Sequence, residues 1–412
     1  MVAIKRGTFM PLMKFKPMRT DNVSIRTKLW VLVAVLAVPI VVLMATQFVS
    51  LRGNADRADQ ARAGVEFETK GLELVRNLQL HRDHEMRVVR GNTASRAALD
   101  QTAEAISVNF GELRDLSGAA GVRDEVVRLQ VDWESFKGTE RTNAVESFGA
   151  HTSFINDRTV QVLLAAATRT ELFTDSDLAS RSVIQSLFAA LNMSEQIAQG
   201  RAIGNLAMLE RAGSAPTDAE REAMAKYLTS ADVYANELRF QLDLAMGADA
   251  DLAEELAPLL DRQDQTLVTF GSFVNQNFLN ATELETTRAE SFYLLGTSAV
   301  TASNELVTVA ANEMNAEFDD RSAGATREMQ VVGGIAFSGI VVALLLAFMV
   351  SRSITRPVSH LAEVADRISL GELDVEIDVH GTNEVGQLAE SLRRMQASLR
   401  SAIERLRQRR AA

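Results

Sequence analysis

The sequence predicts an all-α membrane protein, and three observations carry that expectation. Two charge-free apolar runs of 23 residues stand toward opposite ends of the chain, at 29–51 and 329–351. Between them the composition favours Ala, Leu, Glu, Arg and Met, side chains that lose little rotamer freedom in a helix, and the whole chain has only six prolines in 412 residues. The apolar positions recur at helical three- and four-residue steps, and strand signals are nearly absent.

The first 28 residues hold seven Lys/Arg against Asp21, a net +6. The net charge of −11 therefore hides an acidic middle, about −18 over 29–350, before a slightly basic end. An acidic middle with a basic start argues against nucleic acid as a partner. With no cysteine there is neither disulfide nor thiolate metal site.

Each 23-residue run, as a helix, is about 35 Å long at 1.5 Å per residue, enough to cross a hydrocarbon core of about 30 Å. Pro39 inside the first is tolerable in a membrane helix, and Trp30 falls where an interfacial aromatic belongs. The basic segment 1–28 should stay on the cytoplasmic side, which expects cytoplasmic termini, an inner-membrane location and a periplasmic domain over 52–328. The long basic start and the lack of a small-x-small site argue against a cleaved leader.

About eight helices are expected in 52–328. Breaks are expected at Gly91-Asn92, Gly118–Gly121, Gly138, 213–218, 246–251 and Asn280, with a helix start at Pro216 marked by acids in the opening turn. A weak repeat pairs GELRDL (111–116) with NELRFQ (236–241), ESF (146–148) with ESF (290–292), and ELFTD (171–175) with AEFDD (316–320). It predicts a tandem of four-helix bundles.

Within this domain, Arg82 shares a heptad stripe with apolar Val75 and Val89, and Arg201 shares one with Leu187 and Met208. Each half thus sends one arginine inward. A buried guanidinium requires an acid or a full set of acceptors. Two readings stand. In one, Arg82 pairs with Glu85 and Arg201 with an acid elsewhere. In the other, the two arginines clamp a small anion by bidentate hydrogen bonds. His81 and Glu85 accompany Arg82 as candidate ligand-binding residues. His81 and His84 with their acidic neighbours raise a metal site, which is set aside because only His151 remains in the domain; the stretch is read as an exposed polar face, with no metal and no cofactor.

Beyond 351 the chain has a short amphipathic helix (Ile354, Val358, Leu361, Ala365, Ile368) ended by Gly371. An extended connector follows, in which Leu373, Val375 and Ile377 alternate with acids. A second helix then carries Val385, Leu388, Leu392, Met395, Leu399 and Leu406. Two such seams bury themselves best in a homodimer, as a parallel four-helix coiled coil. Over 352–404 this block resembles the HAMP domain of bacterial receptors, through Pro357, Gly371, Glu384 and Gly386; Asn383 stands where the family often has an acid. The SIRTKL at 24–29 is similar to the opening of many chemoreceptors. The outer domain, through LQLHR (78–82) and AQGRAIG (198–204), resembles the nitrate- and nitrite-sensing helical ectodomain, whose two anion-binding arginines map onto Arg82 and Arg201; Asp83-His84 departs from it. Helical bimodular ectodomains, which bind small organic acids, resemble it equally.

The resemblance implies a transmembrane, non-enzymatic receptor that senses a small periplasmic ligand, an anion such as nitrate, nitrite or a carboxylate. It implies a relay through HAMP to a separate cytoplasmic protein in chemotaxis or related signalling. After the basic tail 405–412 no methyl-accepting hairpin, kinase or cyclase follows, and His360 has no catalytic domain behind it. A ligand-free scaffold or accessory subunit whose outer bundle docks a periplasmic protein, or a truncated chemoreceptor, is the alternative.

Overall fold

A computed structural model describes residues 25–411. Most of the basic start, residues 1–24, lies outside the described residues, as does the opening residue of SIRTKL. Eleven α-helices are described: α1 Ile25–Val89, α2 Arg96–Leu116, α3 Arg123–Lys137, α4 Ala144–Ser153, α5 Val160–Arg169, α6 Leu178–Glu210, α7 Asp218–Ala248, α8 Ala250–Val274, α9 Ala289–Val350, α10 Arg356–Ser369 and α11 Glu384–Ala411. Among the described residues the only extended pairing is an isolated bridge, Ala212 to Leu284, so the chain is all-α. It divides into two compact units, Leu51–Arg327 and the remaining two chain ends.

In the unit Leu51–Arg327, the first half is the distal part of α1 with α2, α3 and the α4–α5 rod, which is joined by a π-helical turn at Phe154–Thr159. The second half is α6, α7, α8 with its π-helical end Asn275–Leu279, and the first part of α9. One continuous core joins the halves: Val65 and Leu78 of α1, Phe110 of α2, Trp133 of α3, Ile197 of α6, Leu238 of α7, Phe270 of α8, and Phe292 and Phe318 of α9.

The helix starts follow from local chemistry. Thr217 and Glu220 form a reciprocal capping box at α7, Asn143 caps α4, and Asp249 accepts from Asp251 and Leu252 N–H at α8. Expected breaks at Gly91, Gly118–Gly121, Gly138, 213–218, 246–251 and Asn280 all separate helices. One break was not expected: α5 ends at Arg169, and Glu171 turns the chain at φ 58° before Asp177 caps α6. The apolar Leu172 is buried there, and its hydrophobicity disguises the loop as helix. The repeat is corrected in the same place. ESF opens the fourth helical rod in both halves, but 171–175 is this loop whereas 316–320 lies inside α9.

Helix α6 is the centre of the unit. It is buried on nearly every side and rich in Ala, Ser and Gly, so neighbouring helices approach closely. At Gly204 a Cβ would overlap the Phe292 ring.

Two helices are long and apolar enough to cross a membrane, by length and composition: one within α1 and one within α9. In the unit they belong to, their apolar faces are exposed, as at Val38, Leu43, Ile335 and Phe337. Soluble proteins do not leave stretches of this kind in water, but lipid accommodates them.

Glu68 on α1 carries a test of the outer core. It is 2 % exposed, and its Oε1 has no hydrogen-bond partner. Desolvation by burial raises its pKa well above the usual carboxylate range. A raised folded pKa means the unfolded state releases the proton first. This contribution is fully present below the ordinary glutamate value of about 4.3 and lost as pH rises through the folded value. Glu68→Gln is expected to raise the unfolding midpoint at pH 7.5 and to leave it unchanged at about pH 4, read by Trp133 fluorescence in a Trp30→Phe background.

Candidate functional site

Helix geometry puts Arg82 and Asp83 on the face of α1 that meets α6, and sequence alone cannot say which acid answers which arginine. Arg82, fully buried, donates from Nη1 to Glu195 Oε1 at 2.6 Å and to Thr152 Oγ1 at 3.2 Å. Gln79 and Gln199 donate to the same carboxylate at 3.0 and 2.8 Å. In return Arg201 of α6 reaches back to α1, its Nη2 2.7 Å from Asp83 Oδ2, while its Nη1 donates to Thr297 Oγ1 at 2.9 Å. The Arg201–Asp83 contact has ion-pair distance without hydrogen-bond alignment, which leaves both buried Asp83 oxygens without a hydrogen-bond donor. Two guanidiniums and two carboxylates thus cross the α1–α6 seam in opposite senses.

Arg82 and Arg201 are therefore inward-facing, as their stripes predict, but Arg82 does not pair with Glu85. Glu85 turns to the other side of α1, where Arg141 Nη1 donates to it at 2.9 Å and Ser147 Oγ at 2.8 Å. Arg141 also donates to the Phe136 carbonyl and lies over the Phe136 ring. Nor is this stretch an exposed polar face: His81 and Asp83 are each 4 % exposed. His81 Nδ1 is 2.8 Å from His151 Nε2, with the Trp133 ring edge-on. Desolvation, then the charge of Arg141, lowers the His81 pKa to about 3, and burial lowers that of His151 as well. Both rings are neutral at pH 7.

A cavity of about 340 Å³ opens between α1, α6 and the start of α9. None of Arg82, Arg201, His81 or Glu85 lines it; its polar lining is Asp83, Arg87, Arg90, Asn92, Asn205, Glu210 and Tyr293. Arg90 pairs with Glu210. Arg87 stacks 4.2 Å from the Tyr293 ring centroid and donates to Asn205 Oδ1 at 3.2 Å. Among the described residues it has no carboxylate at ion-pair distance. No sequence pattern singles out Arg87, because it occupies no apolar stripe. Its only signal is its place five residues after Arg82 on the same helix.

The HAMP-like block is built as its pattern predicts. Pro357 sits in the first turn of α10, and Gly371 ends that helix at φ +96°. Leu361, Val364, Ile368, Ile377 and Ala389 form the core, with Leu373, Val375 and Leu392 against it. Val364, rather than the expected Ala365, is the fully buried side chain of its turn. Asn383 takes the place of an acid at this position, its Oδ1 accepting from Gly386 N–H at 3.0 Å, and Glu384 opens α11. Two side chains not foreseen hold the connector: Arg393 donates to the Ile377 and Val379 carbonyls, and Gln396 to those of Leu373 and Val375. Leu388, Met395, Leu399 and Leu406 of the expected seam are exposed in the single chain.

Two outcomes test these arrangements. Arg82→Met leaves the buried Glu195 carboxylate uncompensated and should cost roughly 3–5 kcal/mol of outer-unit stability, while Arg82→Met with Glu195→Leu should recover most of the loss; denaturant unfolding read at Trp133 checks both. At Gly386 a Cβ would overlap the Gly381 carbonyl. Gly386→Ala should therefore displace the connector, seen as faster proteolysis between 372 and 383 with the outer unit unaffected.

Comparison with known proteins bears on the second of these regions. Residues 349–401 match the HAMP domain family. Chemotaxis-related proteins also match: TlpB, a methyl-accepting chemotaxis protein of Bacillus subtilis, is 45 % identical over 64 residues (16 % of this chain and 10 % of that protein). A protein of Acetivibrio thermocellus named as a sensory transducer is 34 % identical over 96 residues, 23 % of this chain and 17 % of its own length. Methyl-accepting chemotaxis protein I of Escherichia coli is 33 % identical over 84 residues, 20 % and 15 % of the two chains. This chain spans less than a fifth of the length of each of these relatives. No solved structure matches. With a HAMP domain at 349–401 and homology to methyl-accepting chemotaxis proteins, the chain is a HAMP-containing, chemoreceptor-like protein.

Proposed function

We propose that the protein is a homodimeric inner-membrane signal transducer, with residues 52–328 periplasmic, that senses a small carboxylate-bearing ligand in the cavity between α1, α6 and α9. The observation that carries this reading is the unequal satisfaction of the cavity's charges. Arg87 offers a guanidinium with no carboxylate of its own, and Asp83 offers two oxygens with no hydrogen-bond donor. A ligand with a carboxylate for Arg87 and an N–H or O–H for Asp83 completes both. Tyr293, stacked on Arg87 and facing Arg201 at 5.1 Å, supplies an apolar wall. The acidic outer domain disfavours anions at long range, so a ligand of this kind needs such a local cation.

The route onward is short. Asp83 and Arg87 lie on α1 and Tyr293 on α9, the two helices that carry the apolar spans. A ligand held between Asp83 and Arg87 on α1 and Tyr293 on α9 biases the packing of α1 against α9, and a displacement of about 1–2 Å is a sufficient input for a helical relay. The HAMP seam exposed in one chain (Leu388, Met395, Leu399) is covered when two chains associate. A separate cytoplasmic protein then reads the state of that seam.

A second reading is favoured by one observation. Both predicted arginines are internally paired, as expected of an outer bundle that serves as a docking scaffold with no ligand. The cavity distinguishes the two. In a thermal-shift screen of the full chain in detergent against small carboxylates, amino acids, nitrate and nitrite, a carboxylate is expected to raise the melting point of wild type and to lose at least tenfold in affinity in Arg87→Ala. Stabilisation by nitrate or nitrite alone would favour the smaller anion. The absence of any shift would leave the scaffold reading.

A further inference from the structure

We propose that His81, Glu85 and His151 form a binding site for one divalent transition-metal ion of the zinc class, tying α1 to α4. His81 and Glu85 are four residues apart on α1, so their side chains leave the helix on one face. His151 comes from α4, 70 residues further along the chain. The fold brings one nitrogen of each histidine and a carboxylate oxygen to within 4.8 Å of one another. Ligand atoms about 2.0 Å from a tetrahedral ion stand about 3.3 Å apart. His81 Nδ1 and His151 Nε2 stand 2.8 Å apart, and one ligand atom from each of the three residues lies within 4.8 Å of the others, a spacing of the order the ion requires.

The surroundings prepare each donor. The Ser147 carbonyl lies 2.8 Å from His151 Nδ1 and holds the proton there, which leaves a lone pair on Nε2. The Ser147 hydroxyl and Arg141 both donate to Glu85 and fix its carboxylate. Arg141 is the adverse charge in the group. It engages Oε1 at 2.9 Å, while Oε2 lies 3.3 Å from His151 Nδ1 and must turn from that nitrogen toward Nε2 to join the set.

Without an ion, His81 Nδ1–H donates to His151 Nε2. On binding, the His81 proton moves to its own Nε2 and both facing lone pairs turn to the metal; no net proton is released by the histidines. Two nitrogens and one oxygen suit zinc or cobalt(II) better than calcium or magnesium. Three protein ligands leave a fourth position for water.

The test uses the full chain in detergent, stripped with chelator and titrated with Co2+, whose tetrahedral ligand-field absorption reports inner-sphere nitrogen ligation directly. One Co2+ per chain, displaced by Zn2+, is expected for wild type. At least tenfold weaker binding is expected for His81→Gln and Glu85→Gln, and unchanged binding for His84→Gln, which alters a neighbouring histidine outside the cluster. Circular dichroism verifies that the variants fold. If His81→Gln does not fold, the wild-type spectrum and the Glu85→Gln variant decide. No absorption band in wild type, or equal binding in wild type and Glu85→Gln, would reduce the cluster to a hydrogen-bonded histidine pair and overturn the proposal. The readout is independent of the carboxylate cavity, so either proposal can fail alone.

Discussion

Charge compensation across the α1–α6 seam is the constraint on which the outer domain rests. A fully buried guanidinium is tolerable only beside a compensating carboxylate. Arg82 meets that condition through Glu195, which Gln79 and Gln199 also engage. Arg201 meets it through Asp83. Because the two pairs run in opposite senses, each helix supplies one cation and one anion. Sliding α6 along α1 by a turn would strand four charges at once. Small residues of α6 such as Ala190, Ala198 and Gly204 let its neighbours approach closely, and the crossed pairs fix its register against α1.

Much of the helical plan is legible in the chain because helix ends depend on local chemistry. Glycine at Gly91 and Gly371, the Thr217–Glu220 capping box and the Asp249 cap act within a few residues of where they are read. The loop at 170–177 was not legible, since Leu172 is buried and mimics the periodicity of a helix. Likewise, the stripes that place Arg82 and Arg201 inside are local, but their acids lie 113 and 118 residues away, at Glu195 and Asp83. Glu85 was the nearest candidate by sequence, and the fold gave it to Arg141. His151 was visible only as a solitary histidine; nothing in the spacing shows that α4 carries it onto His81. Arg87 escaped notice for the converse reason, as a cation beside a cavity that tertiary structure creates.

In the HAMP domain the pattern reached further, because each motif residue acts locally. Pro357 belongs to the first turn of a helix, Gly371 to a left-handed exit, and Gly386 to a place where backbone passes against backbone. Asn383 caps the start of α11 by accepting from the Gly386 N–H. The apolar stripe of α11 divides. Ala389 and Leu392 face the connector and α10, while Leu388, Met395 and Leu399 stay exposed, the residues the proposed homodimer would cover.

The side chains of Arg393 and Gln396 give that domain a mechanical property of its own. Four carbonyls of the connector, at Leu373, Val375, Ile377 and Val379, are held by α11 of the same polypeptide. An extended segment whose four carbonyls are fastened to two side chains one turn apart on a helix cannot lag behind when that helix turns. Connector and helix therefore form a single lever, and in the proposed homodimer the freedom lies between levers, not within them. If the proposed homodimer forms, a mixed pair of two variants would leave each subunit its own connector conformation, imposed on the seam from its own side.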